Sequence, residues 1–396
     1  MSFFKKDFEN KKNLIILDIG SQFIKALFLK IDNKEKKGIL LAWAKEHFVD
    51  DFEKLYLNCR KAIQKVEKKT GCKAEELFIG IGGNILRGTS TTFCYKREEP
   101  REKIDLTELK YFIQKTQWKA FEKIRKEFGL ESGFPETDVR LVSANIINIK
   151  VDNSCLESPL GFQGHSVCLS IFNNYTSLGW LEDLVGLAAR LELRLVGINS
   201  SAYALVGCLG PDRFLKDDIL IIDIGGKFTE VTLIKRGGEA IETRNFNLGG
   251  QLFTKTIADF LGLKIEEAEL VKIKYSKEEV GLEAKRGIEK LFSQNMNSWL
   301  GGIKVVLDDF SKKYKVLPSR IFLTGGGSNL SGIKETLKKK IGFKIDTISL
   351  SEIAKIINKT KFEEIPSLCL AVLATEPPEA DEFSAILKRA VRLIQG

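Results

Sequence analysis

Histidine is almost absent. His47 and His165 are the two in 396 residues, too few for a histidine-built metal site or a histidine-dependent nucleophile. No apolar run approaches the roughly 20 residues that a membrane-spanning helix needs. The opening MSFFKKDFENKKNL has no long apolar stretch ahead of a small-residue cleavage site, so it does not read as a secretory signal. Cysteine is not lacking, but positions 59, 72, 94, 155, 168, 208 and 369 are scattered, odd in number and form no C-x-x-C. That pattern argues against zinc and against structural disulfides, and it fits a reducing cytosol. Neither sign of charge dominates: the net charge of +9 reads as a mildly basic surface, with an anionic partner as the alternative.

The composition, 43% hydrophobic and 29% charged, is that of a globular chain, and its length suits two or more compact units. Strand and helix patterns alternate throughout. ELFIGIGG (76–83), 89–95, 138–152 and 165–173 read as strands, and 51–69, 105–128 and 175–190 as helices. The second half holds a helix over 250–261, a helical region to about 315, a strand over 320–327 and a helix over 332–340. The lysine-rich faces of 110–126, with Trp118, and of KETLKKK (334–340) read as solvated helix surfaces. No stacking platform for nucleic acid accompanies them.

One supersecondary unit occurs twice. LIILDIGSQFIK (14–25) and LIIDIGGKFTEVTLI (220–234) each run strand, Asp, Ile, Gly, a short turn and a second apolar strand. Glycine at a hairpin tip lets backbone N–H groups approach an anion. An Asp at the strand end can hold Mg²⁺, usually through water. Two such hairpins facing each other would grip a nucleotide's phosphates from both sides, with Lys25 on the following strand within reach of an oxygen. A third glycine turn, LTGGGSNLSG (323–332), follows an apolar strand and precedes a helix. Each motif alone is more often a plain tight turn; the three in this order are far more specific.

In that order, LDIGSQFIK, LIIDIGGKFTE, AELVKIKY and FLTGGGSNLSG resemble the actin-like ATPase superfamily, and within it the FtsA family of bacterial cell-division proteins, with PilM as a close relative. The resemblance implies an α/β actin-like ATPase fold with two lobes around a nucleotide cleft and a small inserted α/β subdomain. It implies a first lobe from 13–74, 165–206 and 362–376, and an insert over 75–164. A second lobe would come from 207–258 and 318–361, with a helical subdomain over 259–317. Carried over by position, Asp18, Gly20, Ser21 and Lys25 form the first phosphate hairpin, and Asp223, Gly225, Gly226 and Lys227 the second. Asp18 and Asp223 stand at Mg²⁺. Glu269 and Lys272 contact ribose and base, while Gly325, Gly326, Gly327 and Ser328 flank the adenosine of ATP. Two departures stand out: Lys227 replaces a third small residue, and Glu230 stands where many members have Asp. GINSSAYAL (197–205) supplies no acid or Gln to orient a water, so ATP binding is better supported than rapid hydrolysis.

After the linker EPPEADE, a helical reading of the tail puts Phe383, Ile386, Leu387, Ala390, Val391 and Ile394 on one face and Lys388, Arg389 and Arg392 on the other. That pattern suits an anionic membrane interface or, more plainly, a helix docked on its own domain. The FtsA resemblance selects the first. It implies a protein peripheral on the inner face of the cell membrane that polymerises there and tethers the C-terminal tail of the tubulin-like FtsZ. The alternative is a PilM-like cytoplasmic ATP-binding scaffold of a type IV pilus or secretion machine, which binds a short peptide of an inner-membrane protein. Nucleic acid is not an expected partner.

Overall fold

The computed structural model describes residues 11–32, 37–83, 85–132, 135–209, 217–318, 320–348 and 356–375. The amphipathic tail read for Phe383 to Ile394 lies outside the described residues, as does the MSFFKK start.

Continuous apolar runs become strands buried on both faces. The first sheet contains β1 (Lys11–Ile19), β2 (Phe23–Asp32), β3 (Lys37–His47), β4 (Glu76–Ile81), β9 (Arg194–Ser200) and β15 (Ile356–Asn358), in the order β15-β3-β2-β1-β4-β9. In β1, Leu14 and Ile16 face one core while Ile15, Leu17 and Ile19 face another. The second sheet runs β14-β13-β10-β11-β12-β5-β8-β6-β7. Its members are β5 (Arg87–Lys96), β6 (Val139–Val151), β7 (Ser154–Cys155), β8 (Ser166–Ser177), β10 (Ile219–Ile224), β11 (Thr229–Ile234), β12 (Ile241–Phe246), β13 (Arg320–Thr324) and β14 (Lys344–Thr347).

Nine helices are described: α1 (Phe52–Thr70), α2 (Leu106–Ser132), α3 (Leu178–Arg190), α4 (Ser201–Leu209), α5 (Gly250–Leu261), α6 (Ile265–Ser276), α7 (Leu282–Lys313), α8 (Ile333–Ile341) and α9 (Ile365–Thr375). Local chemistry sets their ends. Asp51 caps α1 by accepting from Lys54 N at 2.8 Å, and Leu55, Cys59, Ala62, Ile63 and Val66 form its buried stripe. Helices α4 and α9 are apolar nearly all round because they lie between the sheets: Ala204, Leu205, Leu368 and Leu370 share a core with Leu14 and Ile16 of the first sheet and Ile219, Ile221 and Phe322 of the second. A separate core behind the second sheet gathers Phe253, Phe292, Trp299 and Phe310 against Leu220 and Ile222.

Two expected boundaries shift. Strand β4, read as part of the insert, pairs in parallel with β1 in the first sheet. Strand β8, read with the first lobe, lies between β5 and β6 and runs through Ser177, so residues 175–177 are strand rather than helix. Strands β5 and β6 also reach the β11–β12 hairpin: Glu242 of β12 faces Thr89 of β5, Ile241 N donates to Ser90 Oγ at 2.7 Å, and Lys150 Nζ meets Glu239 at 2.6 Å.

The expectation of no disulfide is corrected. Cys94 and Cys168 are directly opposite in the antiparallel β5–β8 pair and are bonded. They lie 74 positions apart in the sequence, so no short motif announced the pairing; strand register creates it.

Candidate functional site

The two repeated hairpins form as read. In the first, β1 and β2 pair so that Asp18 faces Lys25, and Gly20 N closes the turn on Phe23 O at 3.0 Å. In the second, Asp223 faces Glu230, and Gly225 N closes on Phe228 O at 2.9 Å. The equivalent position therefore carries a cation in one hairpin and an acid in the other.

The tips of the hairpins meet. Lys227 N donates to Ser21 Oγ at 2.9 Å, and the Lys227 ammonium stands 5.5 Å over the Phe48 ring. Behind the second tip, Gly250 N donates to Gly225 O at 2.9 Å and Gln251 N to Gly226 O at 2.8 Å. A Cβ on Gly249 would lie 2.5 Å from Gly226 O, so glycine is required where α5 abuts the turn. The third glycine turn closes on the same place. Gly325 has φ +83, and a Cβ there would come 2.1 Å from Asp223 Oδ1. Ser328 Oγ donates to Gly325 O at 2.6 Å. At Gly326 an added Cβ would meet nothing within 4 Å, leaving this part of the turn open.

Glu269 and Lys272 lie at i,i+3 on α6 and pair at 2.8 Å. Lys272 Nζ also donates to Gly250 O at 3.1 Å and to Thr254 Oγ1 at 2.8 Å; Thr254 Oγ1 donates to Glu269 Oε2 at 2.5 Å. This network joins α6 to the start of α5 beside the glycine turn. The two hairpin tips, the third glycine turn and the Glu269–Lys272 pair thus converge around the start of α5.

The electrostatics of the cleft are strong. Burial pushes the Asp223 carboxyl up to about 6, with Asp18 and Glu364 adding repulsion and Lys25 opposing them. Burial pushes Glu230 up to about 8, and Asp223 adds to it, although Gly83 N donates to its carboxyl at 3.3 Å. Burial alone would weaken the Lys25 ammonium, but Asp18 and Glu364 outweigh it and hold its pKa above the usual lysine value.

Sequence reasoning missed four residues here. Thr254 follows the Gly-Gly pair that opens α5, and that pair was the available signal. Gly250 itself was read only as a helix start. Ser367 donates to Asp18 Oδ2 at 2.5 Å, and Glu364 meets Lys25 Nζ at 2.5 Å. Both precede or open an apolar helix more than 300 residues from their partners, so nothing local marked them.

Two lobes built on mixed sheets, with paired hairpins and a glycine turn at the cleft, define an actin-like ATPase fold. Within it, residues 182–372, somewhat under half of the chain, match the family model described as "Type IV pilus assembly protein PilM". Among solved structures the chain resembles that of the PilM–PilN type IV pilus biogenesis complex, at 17% identity and TM-score 0.62, over 97% of this chain and 99% of that one. It is also similar to the ethanolamine utilization protein EutJ from Carboxydothermus hydrogenoformans, at 14% identity and TM-score 0.49, over 91% and 88% of the two chains. MreB5 of Spiroplasma citri, bound to ADP, matches at 13% identity and TM-score 0.44, over 97% and 99%. No curated protein matches the chain.

These matches correct the expected partners. The FtsA resemblance implied the FtsZ tail, further copies of the chain and an anionic membrane surface; the family model and the full-length structural match are to PilM, the latter in a complex with PilN. Among the described residues no helix is long and apolar enough to cross a membrane.

Proposed function

We propose that the chain is a PilM-like scaffold that binds Mg·ATP between its lobes and docks a short segment of a PilN-type inner-membrane protein at the cytoplasmic face of a type IV pilus or secretion machine. The likeness to PilM over nearly the whole of both chains, insert included, carries this reading. The cleft residues fit a nucleotide chemically. Gly326 leaves open backbone that a side chain would cover, and glycine at the hairpin tips lets backbone approach an anion closely. Among the described residues no group of three or more His, Cys, Asp or Glu could hold a metal unaided. In this reading Mg²⁺ would sit at Asp18 and Asp223, with phosphate oxygens and water completing its shell. Bound there, the ion would neutralise phosphate charge. Glu269 and Lys272 would reach toward ribose and base, and Gly325, Gly326, Gly327 and Ser328 would flank the adenosine.

Hydrolysis has little support from the chain's own groups. Glu230 is buried, its carboxyl is pushed up to about 8 by that burial, and it is already bonded to Gly83 N, so it is not a free base for an attacking water. The nucleotide would set the relation of the two lobes rather than fuel fast turnover. Titrating the full chain with a fluorescent peptide from the cytoplasmic segment of a PilN-type protein tests the partner. Saturable binding that a scrambled peptide and an FtsZ-tail peptide do not reproduce is expected. Binding of the FtsZ tail with none of the PilN-type peptide would overturn the assignment.

A further inference from the structure

Lys25 has no donor to spare. An ammonium offers three N–H groups, and the Lys25 Nζ is met by Glu364 Oε2 at 2.5 Å, Asp18 Oδ2 at 3.2 Å and Ser367 Oγ at 3.5 Å. Asp18 cannot withdraw: it is buried in the β1 ladder and held by Ser367. Ser367 is itself wholly buried at the start of α9. Glu364 is different. Its side chain is 36% exposed, and it precedes a helix anchored by Pro366, Ser367 and Leu368 in the core. Its other oxygen, Oε1, already lies 3.6 Å from Lys45 Nζ. Lys45 on β3 is directly opposite Lys25 on β2, so the two lysines stand side by side with one carboxylate spanning them.

We infer that Glu364 is a built-in competitor for the anion at Lys25: a nucleotide's phosphates must displace its carboxylate, which then stays paired with Lys45. The inference rests on the nucleotide reading above and deepens it by naming the residue that sets how tightly phosphates are held. Two carboxylate-like anions cannot share one ammonium without repulsion. The affinity the cleft displays is therefore that of Lys25 for phosphate less that of Lys25 for Glu364. Lys45 supplies the displaced carboxylate with a second seat, so the exchange leaves no buried charge unpaired.

Calorimetric titration of the full-length parent and Glu364→Gln with ATP, ADP and adenosine in Mg²⁺ buffer, alongside thermal melts without ligand, tests this. Glu364→Gln should bind ATP about tenfold more tightly, ADP more tightly by less, and adenosine no differently. Without ligand it should melt lower than the parent, because Lys25 has lost a counter-charge. Tighter binding with lower stability is a combination that a merely structural role would not produce. Glu364→Asp, which keeps the charge on a shorter stem, should fall between the two and serves if the first variant fails to fold. If the parent binds ATP and neither variant binds it more tightly, the competitor role is wrong and the nucleotide reading stands. An equal gain for adenosine would also overturn it. If no protein binds ATP, the nucleotide reading and this inference fall together.

Discussion

Lys227 N donates to Ser21 Oγ at 2.9 Å, so the tips of the two Asp-led hairpins touch. The contact uses an N–H that the nucleotide reading assigns to phosphate, and it uses a serine of the opposite lobe to do so. A bound triphosphate would replace a neutral hydrogen bond by a charge-assisted one.

Removing that hydroxyl frees the donor. In Ser21→Ala the Lys227 amide should exchange with deuterium several-fold faster in the unliganded protein, and Mg·ATP should slow it again. Hydrogen-exchange mass spectrometry over residues 221–229 reads both. Unchanged exchange in the variant would mean that the tips are held by other contacts, such as Gly226 against Gln22.

The glycines of the third turn differ in what they tolerate. Gly325→Ala places a Cβ on Asp223 at a left-handed backbone position, which should cost roughly 3 kcal/mol and abolish ATP binding. Gly326→Ala meets open space. Its stability should stay within about 0.5 kcal/mol of the parent, while its ATP affinity falls because the added methyl occupies the adenosine's side of the turn. Urea melts and ATP titration of both variants separate packing from binding.

Glu230 makes stability depend on pH. Its folded pKa of about 8 lies above the usual 4.5, so between those values the folded state holds a proton that the unfolded chain has released. Stability is therefore fullest in acid and declines as pH rises through about 8. Across pH 5 to 9 in Mg²⁺-free buffer the parent should lose roughly 4 kcal/mol that Glu230→Gln does not lose. Parallel curves would place the carboxylate in contact with solvent.

The bond between Cys94 and Cys168 closes a loop with a sequence separation of 74, worth about 4 kcal/mol in the chain-entropy account. Purified without reductant, the parent should melt higher than Cys94→Ser, and the gap should vanish in reductant. Equal melting in both conditions would mean that these cysteines remain thiols in solution.

The hairpins, the glycine turn and the positions of most strands along the chain were legible because each is a local pattern: an apolar run, an Asp, a glycine. Glu269 and Lys272 were singled out only through the family resemblance, since nothing local separates their i,i+3 spacing from an ordinary surface pair. Contacts made by distant register were hidden. Cys94 meets Cys168, Ser367 meets Asp18 and β8 joins β5 because the sheet order brings them together, and that order is not written in any short window. The choice of partner failed for a related reason. The phosphate motifs are common to the superfamily, and the tail that favoured the division reading lies outside the described residues.

The central claim is that the two Asp-led hairpins hold Mg·ATP. Calorimetric titration of the parent and Asp223→Ala with ATP, with and without Mg²⁺, tests it most directly. The parent should bind saturably and more tightly with Mg²⁺, and the variant should lose at least about tenfold in affinity while its fold by circular dichroism is unchanged. Equal affinity of the two proteins in both buffers, or no binding by the parent at all, would contradict it.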